Sequence, residues 1–169
     1  MSGIKRVLSA LGKAGAAAED VVLILILTGM ISLAAGQIVL RNVFSIGFFW
    51  ADELLRLLVL WIAVAGAVVA SRMNKHISIA VLDRFLSPSV MLVSRVIVEL
   101  FTSGVCALIT WHSVKFVQSS FEYGDTILGN LPAWAFQLVL PVGFGLIAYR
   151  YAVFATRHFV ELIGRGKPA

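Results

Sequence analysis

Four long apolar stretches separated by short polar links dominate the pattern of this chain. The first carries no charge from Val21 to Leu40, and the others run over residues 57–71, 90–114 and 126–149. A helix needs about 20 residues to cross the hydrocarbon core, and every backbone group in lipid must be bonded within its own element. The pattern therefore predicts an all-α integral membrane protein with four transmembrane helices, over about residues 20–41, 51–71, 89–115 and 131–156.

Two shorter segments have the composition of amphipathic helices that lie on a membrane surface. Residues 3–13 carry apolar side chains at helical spacing, with basic residues on other faces. Residues 77–86 are mostly apolar but too short to span the bilayer. We expect both segments to form short interfacial helices on the cytoplasmic side. No internal repeat is evident, so residues 1–169 are expected to form a single membrane domain.

The basic residues gather on one side of the expected spans. Of the fourteen Lys and Arg residues, only Arg41, Arg56 and Lys115 fall on the other side. The positive-inside rule then predicts that both termini and the middle link are cytoplasmic. The net charge of +5 is thus explained by membrane topology and by contacts with anionic phospholipids. A nucleic-acid partner is not expected.

Two charges interrupt the third apolar stretch. Arg95 and Glu99 are four residues apart and near the expected cytoplasmic side. Charged residues within membrane spans are functional candidates by default, because they are costly to bury in lipid. We expect the two side chains to form an ion pair that fixes the depth and packing of the helix. The alternative is that they grip a partner protein.

Four further charges lie near the outer ends of the first two spans. Asp52 and Arg56 have the spacing of a helical ion pair with the acid first. The short link between the spans can bring Arg41 near Glu53. We expect these charges to neutralise one another or the charges of a partner, and favour that role over a proton relay. The alternative is solvated contact with lipid headgroups, which contributes little stability.

Small residues mark two further features of the helices. The second span has a stripe of them at helical spacing, formed by Ala63, Gly66, Ala67 and Ala70. Such a stripe lets two helix backbones approach closely in a membrane, so we expect it to pack against another helix. In the fourth span, Pro141 and Gly143 predict a kink.

The residue types needed for cofactor chemistry are poorly placed. His76 lies in the cytoplasmic link, His112 near the outer end of the third span, and His158 beyond the fourth. No two of them are placed to ligate a haem or a metal between helices. The one cysteine, Cys106, can form no disulfide within the chain. Nucleotide-binding and hydrolase motifs are absent from the sequence, so we expect no cofactor and no enzymatic activity.

Several short motifs occur in a fixed order within the four-span frame. In chain order they are Arg41-Asn42-Val43-Phe44, Trp50-Ala51-Asp52-Glu53 followed by Arg56, Gly66-Ala67 with Ala70, Lys75-His76-Ile77, Leu131-Pro132-Ala133-Trp134 and Leu140-Pro141-Val142-Gly143. In this order and spacing, residues 19–157 resemble the small membrane subunit of TRAP (tripartite ATP-independent periplasmic) transporters. Asp52 departs from the family pattern, since many relatives have Glu there, but the charge is kept.

The resemblance implies partners that the residues alone do not show. It implies a large membrane subunit that holds the substrate and sodium sites, so that sodium is not bound by this chain. It also implies a periplasmic binding protein that delivers the substrate, usually an organic acid. The small subunit would lie in the cytoplasmic membrane of a bacterium or archaeon and widen the scaffold of the large subunit. The alternative function is a stand-alone four-helix membrane electron carrier, linked to a quinone or a haem.

The residues singled out by their chemistry or by the family motifs are candidates for subunit contact or for a structural role. They are Arg41, Trp50, Asp52, Glu53, Arg56, Ala63, Gly66, Ala67, Ala70, His76, Arg95, Glu99, Pro132, Trp134, Pro141 and Gly143.

Overall fold

A computed structural model describes residues 2–73 and 88–165 of the chain. Within these ranges the protein is almost entirely helical. The helices are α1 (Ser2–Phe44), α2 (Phe49–Met73), α3 (Pro88–Tyr123), the short α4 (Ala133–Gln137) and α5 (Val139–Arg165). A two-stranded antiparallel hairpin of β1 (Thr126–Ile127) and β2 (Leu131–Pro132) connects α3 to α4.

Four segments of the described chain are long and apolar enough to cross a membrane. They are Gly15–Phe44, Trp50–Arg72, Val90–Tyr123 and Ala133–Ile163, the last of which combines α4 and α5. The predicted all-α membrane fold with four transmembrane helices is therefore confirmed. Of the two predicted interfacial helices, the one over residues 77–86 lies outside the described residues, as does His76.

The first helix is longer than the sequence pattern suggested. Residues 3–13 are helical as predicted, but they form the beginning of α1 and not a separate element. The alanines at positions 14 and 16–18 favour the continuity, because Ala is the strongest helix former and no proline interrupts the backbone hydrogen bonds around Gly15. At about 1.5 Å per residue, the 43 residues of α1 are about 65 Å long, roughly twice the hydrocarbon thickness.

The third helix also passes its predicted end at residue 115. No Gly or Pro occurs between Lys115 and Tyr123, and the Lys115 ammonium lies 5.3 Å from the Trp111 ring centre on the same helix. The helix ends before Gly124, whose φ of +67° is a left-handed conformation that glycine adopts without strain. The Gly124 amide then donates to the Phe121 carbonyl at 3.3 Å.

The helices pack in a row and not around a central axis. The main contacts join α1 to α2, α2 to α5, and α5 to α3. The small core contains Val68, Cys106 and Ile147, one from each of α2, α3 and α5, with Phe144 and Tyr151 packed against it. Large apolar side chains elsewhere on α1, α3 and α5 are exposed, as expected where lipid replaces a protein core.

The fourth span is interrupted at Leu138, three residues before Pro141. Pro141 has no backbone N–H, so the carbonyl of Gln137 has no helical donor four residues ahead. The Trp61 indole of α2 donates to the neighbouring Phe136 carbonyl at 3.0 Å. Backbone bonds from Leu138 to Trp134 and from Val142 to Leu138, both 3.2 Å, continue the helical path across the break.

Gly143 lies where α2 and α5 approach most closely. A Cβ atom at this position would lie 2.1 Å from Cγ1 of Val64, a distance that no real contact allows. Val64 is buried, at 6% exposure, and belongs to the face of α2 turned toward α5. Gly143 therefore serves close helix packing, in addition to any effect on helix flexibility.

Replacement of Gly143 by alanine should lower the free energy of unfolding by about 1–3 kcal/mol, because the added methyl must displace a β-branched neighbour with a restricted rotamer. Gly66→Ala is the matched control, since no atom lies within 4 Å of the corresponding Cβ. That variant should be neutral or gain up to about 1 kcal/mol from helix propensity. Thermal unfolding in detergent measures both, and equal stabilities would contradict the close approach.

Candidate functional site

A charge cluster joins α1, α2 and α5 at the end of the spans opposite the β hairpin. The Arg150 guanidinium of α5 is bonded to the Glu19 carboxylate of α1. Its other terminal nitrogen, Nη1, donates to the Val68 carbonyl at 2.7 Å and to the Ser71 hydroxyl at 3.2 Å, both on α2. One arginine thus bonds two neighbouring helices while keeping only 19% of its side chain exposed.

A second arginine extends this α1–α2–α5 charge cluster. Arg72 of α2 bonds Asp20 through Nη2 and the Ala16 carbonyl through Nη1, both at 2.7 Å. Its Nη1 also lies 3.9 Å from Oε2 of Glu19. Two carboxylates therefore face two guanidinium groups, so the cluster is neutral as a whole. Sequence reasoning missed this arrangement, although Glu19 and Asp20 directly precede the first apolar stretch.

A buried acid joins α3 to α5. Glu99 is 0% exposed, and its two carboxylate oxygens lie 3.0 and 2.9 Å from Nδ1 of His158. The predicted Arg95–Glu99 ion pair is wrong within the described structure, because Glu99 points toward α5 while Arg95 stays half-exposed. His158, which was expected beyond the fourth span, lies on α5, and the apolar segment that contains it continues to Ile163.

The outer charges also have partners other than the predicted ones. Oε2 of Glu53 accepts the Leu128 backbone N–H at 2.9 Å. Leu128 follows β1 with a φ of +54°, within the turn of the hairpin. The carboxylate therefore fixes the hairpin onto the start of α2, and it satisfies a backbone donor that no strand partner reaches. Sequence spacing gave no indication of this contact, because the two residues are 75 positions apart.

Asp52 bonds the first span and not its own helix. Its Oδ1 accepts from Nε2 of Gln37 on α1 at 2.9 Å. The predicted Asp52–Arg56 and Arg41–Glu53 pairs are therefore absent from the described chain, and both arginines are exposed there without a hydrogen bond or ion pair. A carboxylate held by a nearby amide avoids the entropy cost of fixing a long arginine side chain.

The aromatic and proline candidates are placed around the hairpin. Trp50 is exposed beside Phe48, with ring centres 5.6 Å apart. Pro132 precedes α4 in an extended conformation, with φ −68° and ψ 123°. The Trp134 ring of α4 packs edge-on against Phe121 of α3 at 5.7 Å. These residues hold the loop and the helix ends together.

The stripe of small residues on α2 is not covered by any helix of the described chain. Ala63, Ala67 and Ala70 are exposed, and Gly66 is half-buried with open space beside it. The buried face of α2 contains Val64, Val68 and Ser71 instead. The small residues therefore remain available to a helix from another chain.

Three cavities of the described structure are lined mainly by apolar side chains. One of about 280 Å³ lies between α1, α2 and α5; Val22, Val64, Val142 and Leu146 line it, together with Glu19. No group of three His, Cys, Asp or Glu side chains in the described part of the chain is placed to hold a metal ion. The polar groups thus join helices, and their geometry supports no catalytic step.

Several curated proteins resemble this chain. The isethionate TRAP transporter permease protein DctMQ of Oleidesulfovibrio alaskensis is 28% identical over 60% of this chain, but the match spans only 16% of that protein. The ectoine TRAP transporter small permease protein TeaB of Halomonas elongata is 23% identical over 95% of this chain and 83% of its own length. The C4-dicarboxylate TRAP transporter small permease protein DctQ of Pseudomonas aeruginosa is 29% identical over 64% of this chain and 53% of its length.

The family match covers most of the chain and agrees with the four-span fold. Residues 30–161 match the family described as tripartite ATP-independent periplasmic transporters, DctQ component. The match gives no support to a stand-alone electron carrier. With its four membrane helices and its polar groups used in helix contacts, the chain belongs to this family of transporter components, as a small permease subunit and not an enzyme.

Proposed function

We propose that this chain scaffolds a large membrane subunit during sodium-coupled uptake of an organic acid. A periplasmic binding protein delivers the substrate, and the large subunit binds both the substrate and the sodium ions. The transporter lies in the cytoplasmic membrane. The single observation that carries the proposal is the family match over residues 30–161.

The use of charge within the protein supports a scaffolding role. A transport site is usually formed by broken helices whose free backbone groups face a substrate or an ion. The one break in the described helices, at Leu138, has Trp61 bonded beside it. The buried or half-buried charges Glu19, Glu99 and Arg150 each bond a neighbouring helix. These contacts hold the helices in a fixed arrangement.

The relatives support a partner and a division of labour. The protein named DctMQ carries the region similar to this chain as a small part of its length, which is consistent with a second, larger permease portion in the same polypeptide. The relatives are named for isethionate, ectoine and C4-dicarboxylate. Because chains similar to this one occur with such different cargo, we infer that substrate choice belongs to the partner proteins.

The row of helices suits a subunit that widens a membrane scaffold. Since α1 and α3 lie at opposite edges of the row, the described protein presents two broad apolar faces. Phospholipids cover these faces wherever a partner does not. The paired arginines and carboxylates between α1, α2 and α5 keep the row rigid, as a support for a moving transport domain requires.

Both termini are proposed to be cytoplasmic, because the basic residues gather at that end of the spans. In a Cys106→Ala background, Ser2→Cys should not react with a membrane-impermeant maleimide added to intact spheroplasts. Glu122→Cys, near the hairpin end, should react. Labelling at position 2 with protection at position 122 would show the opposite orientation.

Sodium-driven uptake into proteoliposomes tests the proposed function. Vesicles that contain this chain alone should accumulate no substrate, whereas vesicles that also contain the large subunit should do so when supplied with the loaded binding protein. Uptake by this chain alone would refute the scaffolding role.

A further inference from the structure

Arg56 is the one charged side chain of α2 that the described protein leaves without a partner. Asp52 is bonded to Gln37, Glu53 to the Leu128 backbone, and Arg72 to Asp20. Arg56 is exposed and has neither a hydrogen bond nor an ion pair within the described residues. Its guanidinium group thus has five N–H donors and no acceptor among the residues that the structure describes.

The depth of Arg56 makes this isolation costly. It lies six residues after Trp50, within the apolar segment Trp50–Arg72. At about 1.5 Å per residue, this places its Cα about 9 Å along the helix from the interfacial tryptophan. A charged group at that depth must bend back to the headgroups or find an acceptor in protein. Asp52, one turn away, does not serve, because Gln37 already holds its carboxylate.

The other exposed residues on the Arg56 side of α2 are mostly small, unlike the large apolar side chains that typically contact lipid. Continuing from Arg56 at steps of three or four residues, the exposed positions are Val59, Ala63, Ala67 and Ala70. Exposed positions on α1 and α3 also include large apolar side chains, such as Leu25 at 65% and Phe101 at 72% exposure, whereas three of these four on α2 are alanine. Small side chains on an exposed face allow the backbone of a second helix to come close.

We propose that this α2 face, formed by Arg56, Val59, Ala63, Ala67 and Ala70, docks a transmembrane helix of the large subunit that carries a carboxylate opposite Arg56. This inference rests on the proposed function. A partner helix packed against the alanines also passes beside Arg56. A side chain of the partner helix at the depth of Arg56 therefore contacts the guanidinium group. A carboxylate there neutralises the charge and accepts two parallel hydrogen bonds from the planar guanidinium.

The test uses the full complex, with tagged small subunit co-expressed with the large subunit and recovered in detergent. Arg56→Gln and Ala67→Leu should each lower the recovery of the large subunit by about tenfold or more, since one leaves a buried carboxylate unpaired and the other separates the backbones. Lys115→Gln and Val105→Leu are the matched controls on α3 and should keep wild-type recovery. Each variant should also keep its helix content and its elution as a folded monomer, because both changed positions are exposed in this chain.

The carboxylate is identified by charge exchange. Arg56→Asp should lose the large subunit, and replacement of one Asp or Glu in the outer third of the partner's spans by Arg should restore it. Wild-type recovery in both Arg56→Gln and Ala67→Leu would overturn the docking surface. If only Ala67→Leu lowers the recovery of the large subunit, the proposed carboxylate opposite Arg56 is wrong. If the Arg56→Gln complex stays intact but loses bound anionic phospholipid, Arg56 binds lipid headgroups instead. A wild-type chain that recovers no large subunit would instead refute the proposed function, and this surface with it.

Discussion

Replacement of His158 by leucine should lower the free energy of unfolding by about 1–3 kcal/mol, the range expected when a buried polar group loses its hydrogen-bond partner. Glu99 is fully buried, and both of its oxygens contact the His158 ring nitrogen. Leucine fills a similar volume but offers no hydrogen bond. The carboxylate would then remain between α3 and α5 without its donor. Denaturant titration in mixed micelles measures the change.

The control for this variant is the histidine on the exposed face of α3. His112→Leu removes the same side chain from a position with no hydrogen bond in the described structure, and its effect should stay within about 0.5 kcal/mol. The double variant Glu99→Leu with His158→Leu should regain most of the lost stability, because no buried polar group is then left without a partner. A double variant as unstable as the sum of the two single variants would contradict the pairing.

Replacement of Arg150 by methionine should cost about 2–5 kcal/mol by the same reasoning. The change removes the bond to Glu19, the bonds to the Val68 carbonyl and the Ser71 hydroxyl, and with them the polar connection between α1 and α5. Arg72 cannot replace it, because its Nη1 is 3.9 Å from Oε2 of Glu19. Proteolysis should become faster near the start of α1, because Arg72 alone would then supply the polar bonds that hold this part of the helix to α2.

Arg157→Met is the matched control on the same helix. Arg157 is exposed and has no hydrogen bond or ion pair in the described residues, so its loss should change the unfolding free energy by about 0.5 kcal/mol or less. If the two arginine variants are equally stable, the α1–α2–α5 charge cluster contributes nothing to the free energy of unfolding. The proposal that this cluster keeps the row of helices rigid would then be wrong.

The four spans could be predicted from the sequence because a long, mostly apolar stretch in lipid leaves the backbone no alternative to a helix. The ends of the helices were harder to predict from the sequence. The end of α3 at Tyr123 depends on where a left-handed glycine follows, and the polar residues from Lys115 onward are as compatible with a helix in water as with a loop.

The polar contacts could not be predicted because they cross between helices. Spacing along one helix suggested Arg95–Glu99 and Asp52–Arg56, since residues four apart share a face. The observed partners of Glu99 and Glu53 are 59 and 75 residues away, and only the packing order of the helices brings them together. In water the charged face of a helix points outward, but in a membrane a buried polar group turns inward to find a partner.

Gly66 and Gly143 also show that helix packing could not be predicted from the sequence. Gly66 lies in a stripe typical of close packing, yet it has open space beside it, while Gly143 is in contact range of Val64. In a soluble protein, the apolar side of a helix identifies its buried face. Here both faces are apolar, because lipid is as hydrophobic as a protein core. Sequence alone therefore shows that a helix can pack closely, but not which side does so within this chain.

Sodium-driven uptake in reconstituted vesicles tests most directly whether this chain supports transport without performing it. Three preparations are compared, with this chain alone, the large subunit alone, or both, each supplied with the binding protein and the ligand that co-purifies with it. We predict accumulation only with both subunits and an inward sodium gradient, and loss of accumulation when the gradient is collapsed. Uptake by this chain alone, or equal uptake by the large subunit without it, would contradict the account.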